Sequence, residues 1–421
     1  MLKFIMLMFC AVIIARLYKK NRLVSSTSMW VFCYMLIFIV YPLYTDIKYE
    51  YAELIDILAL IGIIIFGLGI LFASKIKIKK DKDNGESNKH ILEKLQPNYK
   101  ISLIFFCIFA IISILALIKV VGIDRMKLII SGRMTSKQLS LGDLDSSPIT
   151  FSMHLLVPCI LSMWITSKTR KQKIISIIAL LIYVIETILF GFTRIFLITI
   201  IAMIFFYEIR NTPRKKQILI VCIVLVSLIL GLVFMNFTRS LGLNSDLNFK
   251  DYLTIDFIFE STDFSASYKF FDELIGAESP YISPIVYLKP LFSVIPRSIW
   301  EDKPEPLSMQ VLKYLDPALA DTGFSTAGNS VLGEGYAVLG YFGMFLFCFI
   351  WGIVCEFIDS RYYNRIRNGN NSCLANIYYY IFAVFIIVSA QRGDWSQYMT
   401  TIIWFYFLPM YVFSRIHIKK K

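Results

Sequence analysis

The sequence predicts an all-α fold: a polytopic integral membrane protein of about eleven transmembrane helices, with one long external loop containing short amphipathic helices. Composition is the first observation behind this, since 57% of the 421 residues are hydrophobic, 17% are charged and the mean hydropathy is +0.65, far from an ordinary soluble domain. The second is a near-uniform series of long apolar segments, interrupted once, between Phe237 and about Asn329, by a proline-rich, charged stretch. Lipid supplies no hydrogen bonds, so only helices and closed barrels span it, and runs of this length read as helices. The third is that the cations gather in every second loop.

In order, the apolar segments lie near 2–17, 28–44, 52–74, 101–121, 148–167, 174–190, 191–208, 217–236, 335–357, 374–390 and 397–414. The first has no basic leader beyond Lys3 and no small-residue cleavage site, so it reads as a retained helix and not a signal peptide. Cations cluster at Lys19, Lys20 and Arg22, then within Lys75 to Lys100, Lys168 to Lys173, Arg210 to Lys216, Arg361 to Arg367 and Arg415 to Lys421. Lys and Arg cross a membrane reluctantly, which predicts cytoplasmic loops there, an N-terminus outside and a C-terminus in the cytoplasm. The loops at 45–51, 122–147, 237–334 and 391–396 are then external. Three parts follow: N-terminal helices over 1–236, with a basic cytoplasmic linker at 75–100 and an external loop at 122–147; the large external loop over 237–334; and C-terminal helices over 335–421.

The net charge of +13 does not point to nucleic acid, because the cations sit in short clusters between helices. The eight cysteines lie in or at the edge of apolar segments without CxxC-type spacing, so neither disulfide nor zinc is expected. The triplet Asp143, Leu144, Asp145 carries hard oxygen ligands suited to magnesium, but the same pattern at Asp81 to Asp83 falls on the cytoplasmic side. No metal and no other cofactor is expected.

Within the large loop, Tyr252 to Phe259 and Phe264 to Leu274 space aromatic and acidic residues as amphipathic helices on a membrane would. Seven of the thirteen prolines follow, between Pro280 and Pro317. The stretch Tyr281 to Ile299 is apolar but interrupted by proline and charge, so it reads as a re-entrant or interfacial element. The tripeptide Phe-Thr-Arg occurs twice, ending at Arg194 and Arg239, at the outer ends of two antiparallel helices. Two guanidiniums at similar depth suit a diphosphate, whose oxygens they bind bidentately. The competing reading is that each snorkels to lipid headgroups. Arg392 lies in a tight outer turn with Asp394, where pairing and substrate contact are both open.

The stretch Ile295 to Gly343 resembles the Wzy-type O-antigen polymerases, in which an Ile-Pro-Arg, aromatic, Lys-Pro element precedes a glycine-rich segment with a buried Glu leading into a helix. The matching residues are Pro296, Arg297, Trp300, Lys303 and Pro304, then Gly328, Ser330, Gly333, Glu334, Tyr336, Gly340 and Gly343. The paired Arg and Gly spacing found in external loops of some members is missing after Arg133, Arg239 and Arg297. The resemblance implies glycosyl transfer on the outer face of a bacterial plasma (inner) membrane. There, undecaprenyl-diphosphate-linked oligosaccharide repeat units would be joined among membrane lipid, with a chain-length regulator protein as a further partner that no residue pattern addresses.

Such a transfer needs a base for the acceptor hydroxyl and cations for the departing diphosphate. Glu334 is the first candidate base, flanked by Gly333 and Gly335, which allow close approach of a sugar or lipid diphosphate; the alternative is a cap or pair within the bundle. His154, on an outward-starting helix, is the second; a lone membrane histidine otherwise bonds a neighbour. Asp302 and Asp394 come after them. Arg133, Arg194, Arg239, Arg297 and Arg392 form the pool for a diphosphate clamp, with Lys303 beside them. Trp300 and Tyr336 can stack on sugars or serve as interfacial anchors. A lipid-linked oligosaccharide flippase is the alternative from another class, and an O-antigen ligase shares topology and donor; few mid-membrane charges speak for a transport path.

Overall fold

The computed structural model describes residues 1–45, 47–76, 97–130, 147–190, 194–210, scattered positions within 216–258, and 264–293, 295, 299–301, 303–321, 328–369 and 372–416. Regular structure among these residues is entirely helical. In chain order the helices are α1 (Leu2–Lys19), α2 (Ser26–Tyr44), α3 (Ala52–Lys75), α4 (Tyr99–Val120), α5 (Ile123–Ile130), α6 (Ser147–Thr166), α7 (Arg170–Phe190) and α8 (Arg194–Arg210). They continue as α9 (Phe264–Gly276), α10 (Lys289–Phe292), α11 (Leu307–Leu315), α12 (Pro317–Asp321), α13 (Val331–Arg367), α14 (Cys373–Arg392) and α15 (395–415). Five of the described helices are long and apolar enough to cross a membrane: α2, α3, most of α4, α13 and α14. The chain is an all-helical, multi-pass membrane protein. The expected span near 217–236, the linker at 77–96 and the amphipathic stretch at 252–259 lie wholly or largely outside the described residues.

Two units make up the chain, one of Met1–Lys82, Thr262–Asn370 and Phe382–Thr401, the other of Asp83–Ser261, Asn371–Ile381 and Ile402–Lys421. In the first, α3 packs lengthwise on α13. Their backbones meet at Gly69 and Gly352, where a Cβ on either would lie within 2.4 Å of the facing chain's carbonyl oxygen. Small residues at a crossing are how helices associate in lipid, where burying apolar surface supplies little drive. Trp30 of α2 stacks on Phe66 of α3, ring centres 3.7 Å apart, and the Tyr34 hydroxyl donates to the Ala59 carbonyl at 2.7 Å. The last turns of α2 widen to a π-helix at Leu36–Val40, just before Pro42, which lacks the N–H a regular turn would use.

The start of α2 is fixed twice. Ser25 and Ser28 exchange the two bonds of a capping box, and the Asp359 carboxylate of α13 accepts from the Ser26 and Thr27 amides, at 3.1 Å each, and from both hydroxyls. A carboxylate on orphan amides at a helix N-terminus is stabilising by charge as well as by hydrogen bonding. One turn earlier on α13, Glu356 pairs with Arg22 at 3.1 Å and accepts from Ser360.

In the second unit α4 and α6 pack together, tied by Ser102 and Ser162 hydroxyls 2.7 Å apart. Phe413 of α15 stacks on Phe105 at 4.2 Å. Lys173 and the Trp164 indole both reach Glu208 of α8, at 2.7 and 2.8 Å. Glu186 of α7 is buried and accepts from Ser113 at 2.8 Å.

The large-loop helix α9 forms where its amphipathic spacing predicts, but it does more than lie on a surface. Tyr268, Phe271, Leu274 and Ile275 are buried, with Phe271 against Gly333 of α13 and Tyr268 against Phe38 of α2. Tyr281 to Ile299 forms only a 3-10 turn at Pro284–Leu288 and the single turn α10 in its described residues.

Candidate functional site

The glycine-rich entry to α13 folds as a short helix of its own. Ser330 caps it, accepting from the Gly333 amide at 3.1 Å, and helical geometry fails at Leu339 and Gly340, the latter at φ +61. Beyond the break the chain comes back so close that a Cβ on Gly343 would lie 2.1 Å from the Gly335 carbonyl oxygen. Only glycine at both places permits this. The sequence suggested one continuous helix here; a left-handed residue and a backbone-to-backbone contact divide it. Carbonyls released near the break are used by the large loop, Tyr336 accepting from the Ser279 hydroxyl at 2.7 Å and Ala337 from the Ile282 amide at 2.8 Å.

Glu334 sits on this short helix, 1% exposed. Its carboxylate meets the first turn of α15: the Trp395 amide donates to it at 3.1 Å, and the Asp394 amide donates as well. The amides at a helix N-terminus lack partners within their own helix, so an anion is well placed there. Asp394 precedes that helix at φ +65, buried, and its carboxylate accepts from the Ser396 hydroxyl at 2.8 Å and from the Ser308 hydroxyl of α11. Two carboxyl groups are thereby buried next to each other.

The Tyr287 hydroxyl, buried in the 3-10 turn, faces the Glu334 carboxyl closely enough to interact with it but out of line for a hydrogen bond. Burial pushes this phenol far up, and the Glu334 and Asp394 carboxyls push it the same way, so it stays a donor. Trp395 stands edge-on to Trp351, ring centres 4.9 Å apart, and walls one side. The 3-10 turn, α10 and α11 all pack against the first turns of α15.

Of the residues singled out from sequence, Glu334, Asp394 and Arg392 come together at this turn. Arg392 is half-buried and donates to the Tyr398 hydroxyl at 3.2 Å. Tyr336 is two residues past Glu334, buried, with its ring edge-on to Tyr341. Lys303 spends its ammonium on the loop itself, donating to the Ser293 and Ile295 carbonyls at 2.7 and 3.0 Å, and Trp300 packs edge-on to Phe292. His154 belongs to the second unit, buried beside Phe405 and Tyr406 with ring centres 5.6 and 6.2 Å away. Arg133, Arg239, Arg297, Asp302 and the triplet at Asp143 to Asp145 lie outside the described residues; for Arg194 the backbone that opens α8 is described and the side chain is not.

Sequence reasoning missed the Trp395 amide, Tyr287 and Ser308. The Gly-Asp-Trp-Ser run from Gly393 to Ser396 carries a helix-start signal, an Asp just before a helix, that points to free amides; the partners from the large loop leave no such mark. Among the described residues no group of three or more His, Cys, Asp or Glu is placed to hold a metal ion.

A carboxylate buried on helix amides, beside a second carboxyl and a phenol, with one arginine on the same turn, can accept a proton from a bound hydroxyl. Compared with models of known families, the whole chain, residues 1–421, matches the one described as O-antigen polysaccharide polymerase Wzy. No curated protein and no solved structure matches it.

Proposed function

The chain belongs to the O-antigen polysaccharide polymerase Wzy family, and from that premise we propose that it joins undecaprenyl-diphosphate-linked oligosaccharide repeat units on the outer face of the plasma membrane, with Glu334 as the base. The acceptor is the nonreducing-end hydroxyl of one unit and the donor is the chain carried on another. The acceptor oxygen bonds to the anomeric carbon, its proton passes to the Glu334 carboxylate, and the carbon–oxygen bond to the diphosphate breaks with the electron pair leaving on phosphate. That leaving group is already an anion, so cations are needed and an acid is not. Arg392, on the turn that follows Gln391, is the member of the arginine pool nearest in the chain to the Asp394 and Trp395 amides; Arg133, Arg194, Arg239 and Arg297 complete the pool. Attack from the face opposite the diphosphate inverts the anomeric centre.

The observation that carries this reading is the Glu334 carboxylate, buried on the Trp395 amide with no lysine or arginine paired to it among the described residues. A structural carboxylate at such depth is ordinarily paired with a cation, as Glu356 is, or saturated by donors, as Asp359 is; Glu334 has instead a second carboxyl beside it. His154 stays as the alternative base.

Purified protein in lipid, given lipid-linked repeat units and no nucleotide sugar, makes a ladder of chain lengths on this account. Movement of the lipid across liposomes without a ladder would mark a flippase. Transfer of finished glycan to lipid A or protein, with no lengthening, would mark a ligase.

A further inference from the structure

Asn329, immediately before the cap of α13, is 1% exposed, and among the described residues neither its amide nitrogen nor its amide oxygen has a hydrogen-bond partner. Its position is set by two glycines, each of which directly precedes one of the two carboxyl residues. A Cβ built on Gly393, at φ +86, would lie 2.6 Å from the Asn329 carbonyl oxygen and 2.8 Å from its Cβ, and one built on Gly333 would lie 3.9 Å from that Cβ. The absence of side chains at Gly333 and Gly393 thus lets the Asn329 backbone and Cβ lie against the two glycines that precede Glu334 and Asp394. Buried amides are nearly always bonded, because leaving both ends unmet costs desolvation without return. A further atom on the same turn, the Gln391 side-chain oxygen, is also buried without a partner among the described residues.

We propose that Asn329 is a substrate-contacting, specificity-determining residue that reads a hydroxyl or acetamido group of the acceptor sugar, next to the hydroxyl that Glu334 deprotonates. An amide offers one donor and one acceptor side by side. Sugar hydroxyl and acetamido groups both donate and accept, and so satisfy both ends; a diphosphate or the carboxylate of a uronate accepts only and would leave the amide oxygen unmet. The site beside Glu334 therefore takes the neutral sugar, and the diphosphate belongs with the arginines. The assignment rests on Glu334 as the base in the proposed polymerase reaction.

The test uses full-length protein in lipid and the lipid-linked repeat unit recovered from cells lacking this chain. Alongside it run synthetic acceptors copying the unit's nonreducing-end sugar, each with one hydroxyl or acetamido group replaced by hydrogen. Asn329→Ala and Asn329→Leu are expected to raise the acceptor KM by roughly tenfold to a hundredfold, with a smaller change in kcat and a melting temperature equal to or above wild type, because an unmet buried amide has gone. One analogue should show the same loss with wild type and no added loss with Asn329→Ala. Folded variants with an unchanged acceptor KM overturn the proposal, leaving the amide a space-filling group. If neither variant folds, the analogues decide with wild type alone, and indifference to every single replacement overturns it. A wild type that makes no ladder refutes the polymerase reading itself, whereas a ladder lost with Glu334→Gln but unaffected by changes at Asn329 refutes only this assignment.

Discussion

The two ends of α13 carry buried carboxyl groups under opposite terms. Near one end Glu356 is paired with Arg22, and Asp359 is saturated by two amides and two hydroxyls at the start of α2. Near the other, Glu334 rests on helix amides beside a second carboxyl, Asp394, with an unaligned phenol facing it. From Gly340 to Asp359, α13 covers about 30 Å at 1.5 Å per residue, close to the depth of a hydrocarbon layer. A buried charge with every partner supplied fixes one helix against another. Two carboxyl groups placed together in a buried site do not serve stability, and groupings of this kind are common where chemistry is done.

Substitutions can break this contrast, and the largest effect is expected at Glu334. Glu334→Gln should lower the rate of chain lengthening by about 10²–10⁴-fold, the range for loss of a general base, while thermal melting in lipid stays near wild type. A matching drop in melting temperature would move Glu334 to the structural class. Asp359→Ala should do the reverse, costing about 3 kcal/mol of stability through a lost cap and lost charged hydrogen bonds, with activity per folded molecule preserved. Loss of activity in folded Asp359→Ala protein would dissolve the distinction between the ends.

Smaller changes sharpen it. Gly393→Ala adds a Cβ at φ +86 and against the Asn329 carbonyl, a strain of about 1–3 kcal/mol. Melting and chain lengthening should fall together, because the turn that presents Asp394 and Trp395 has to move. Tyr287→Phe removes a buried hydroxyl that has no aligned partner, so stability should change by less than about 1 kcal/mol and the rate by a few-fold at most, read from the same melts and ladders.

The helical framework was legible because lipid imposes it. Most apolar runs among the described residues became helices within a few residues of their expected ends, as at Ala52–Lys75 for 52–74 and Cys373–Arg392 for 374–390, whereas the run expected at 335–357 extends over Val331–Arg367 with a break at Gly340. The amphipathic spacing from Phe264 onward also predicted α9, since period and polarity are local properties. What sequence could not supply was set by contacts between distant residues. The break at Gly340 depends on Gly335 meeting Gly343, and the packing of α9 into the first unit depends on Phe271 finding Gly333. Asp394 and Arg392, neighbours in a short turn, invited a local pairing; the structure adds Ser308, 86 positions away in the chain, and Tyr398 as their partners. Glu334 was visible as a carboxyl between glycines, but the amides that hold it belong to a helix 61 positions further on.

In the proposed reaction Glu334 takes the acceptor proton as a lipid-linked glycan is lengthened. The most direct test compares wild type and Glu334→Gln, purified into lipid and matched in melting temperature, by the ladder each makes from lipid-linked repeat units alone. A ladder from wild type and unreacted single units from the variant are the expected result. A ladder of equal length and rate from Glu334→Gln would contradict it.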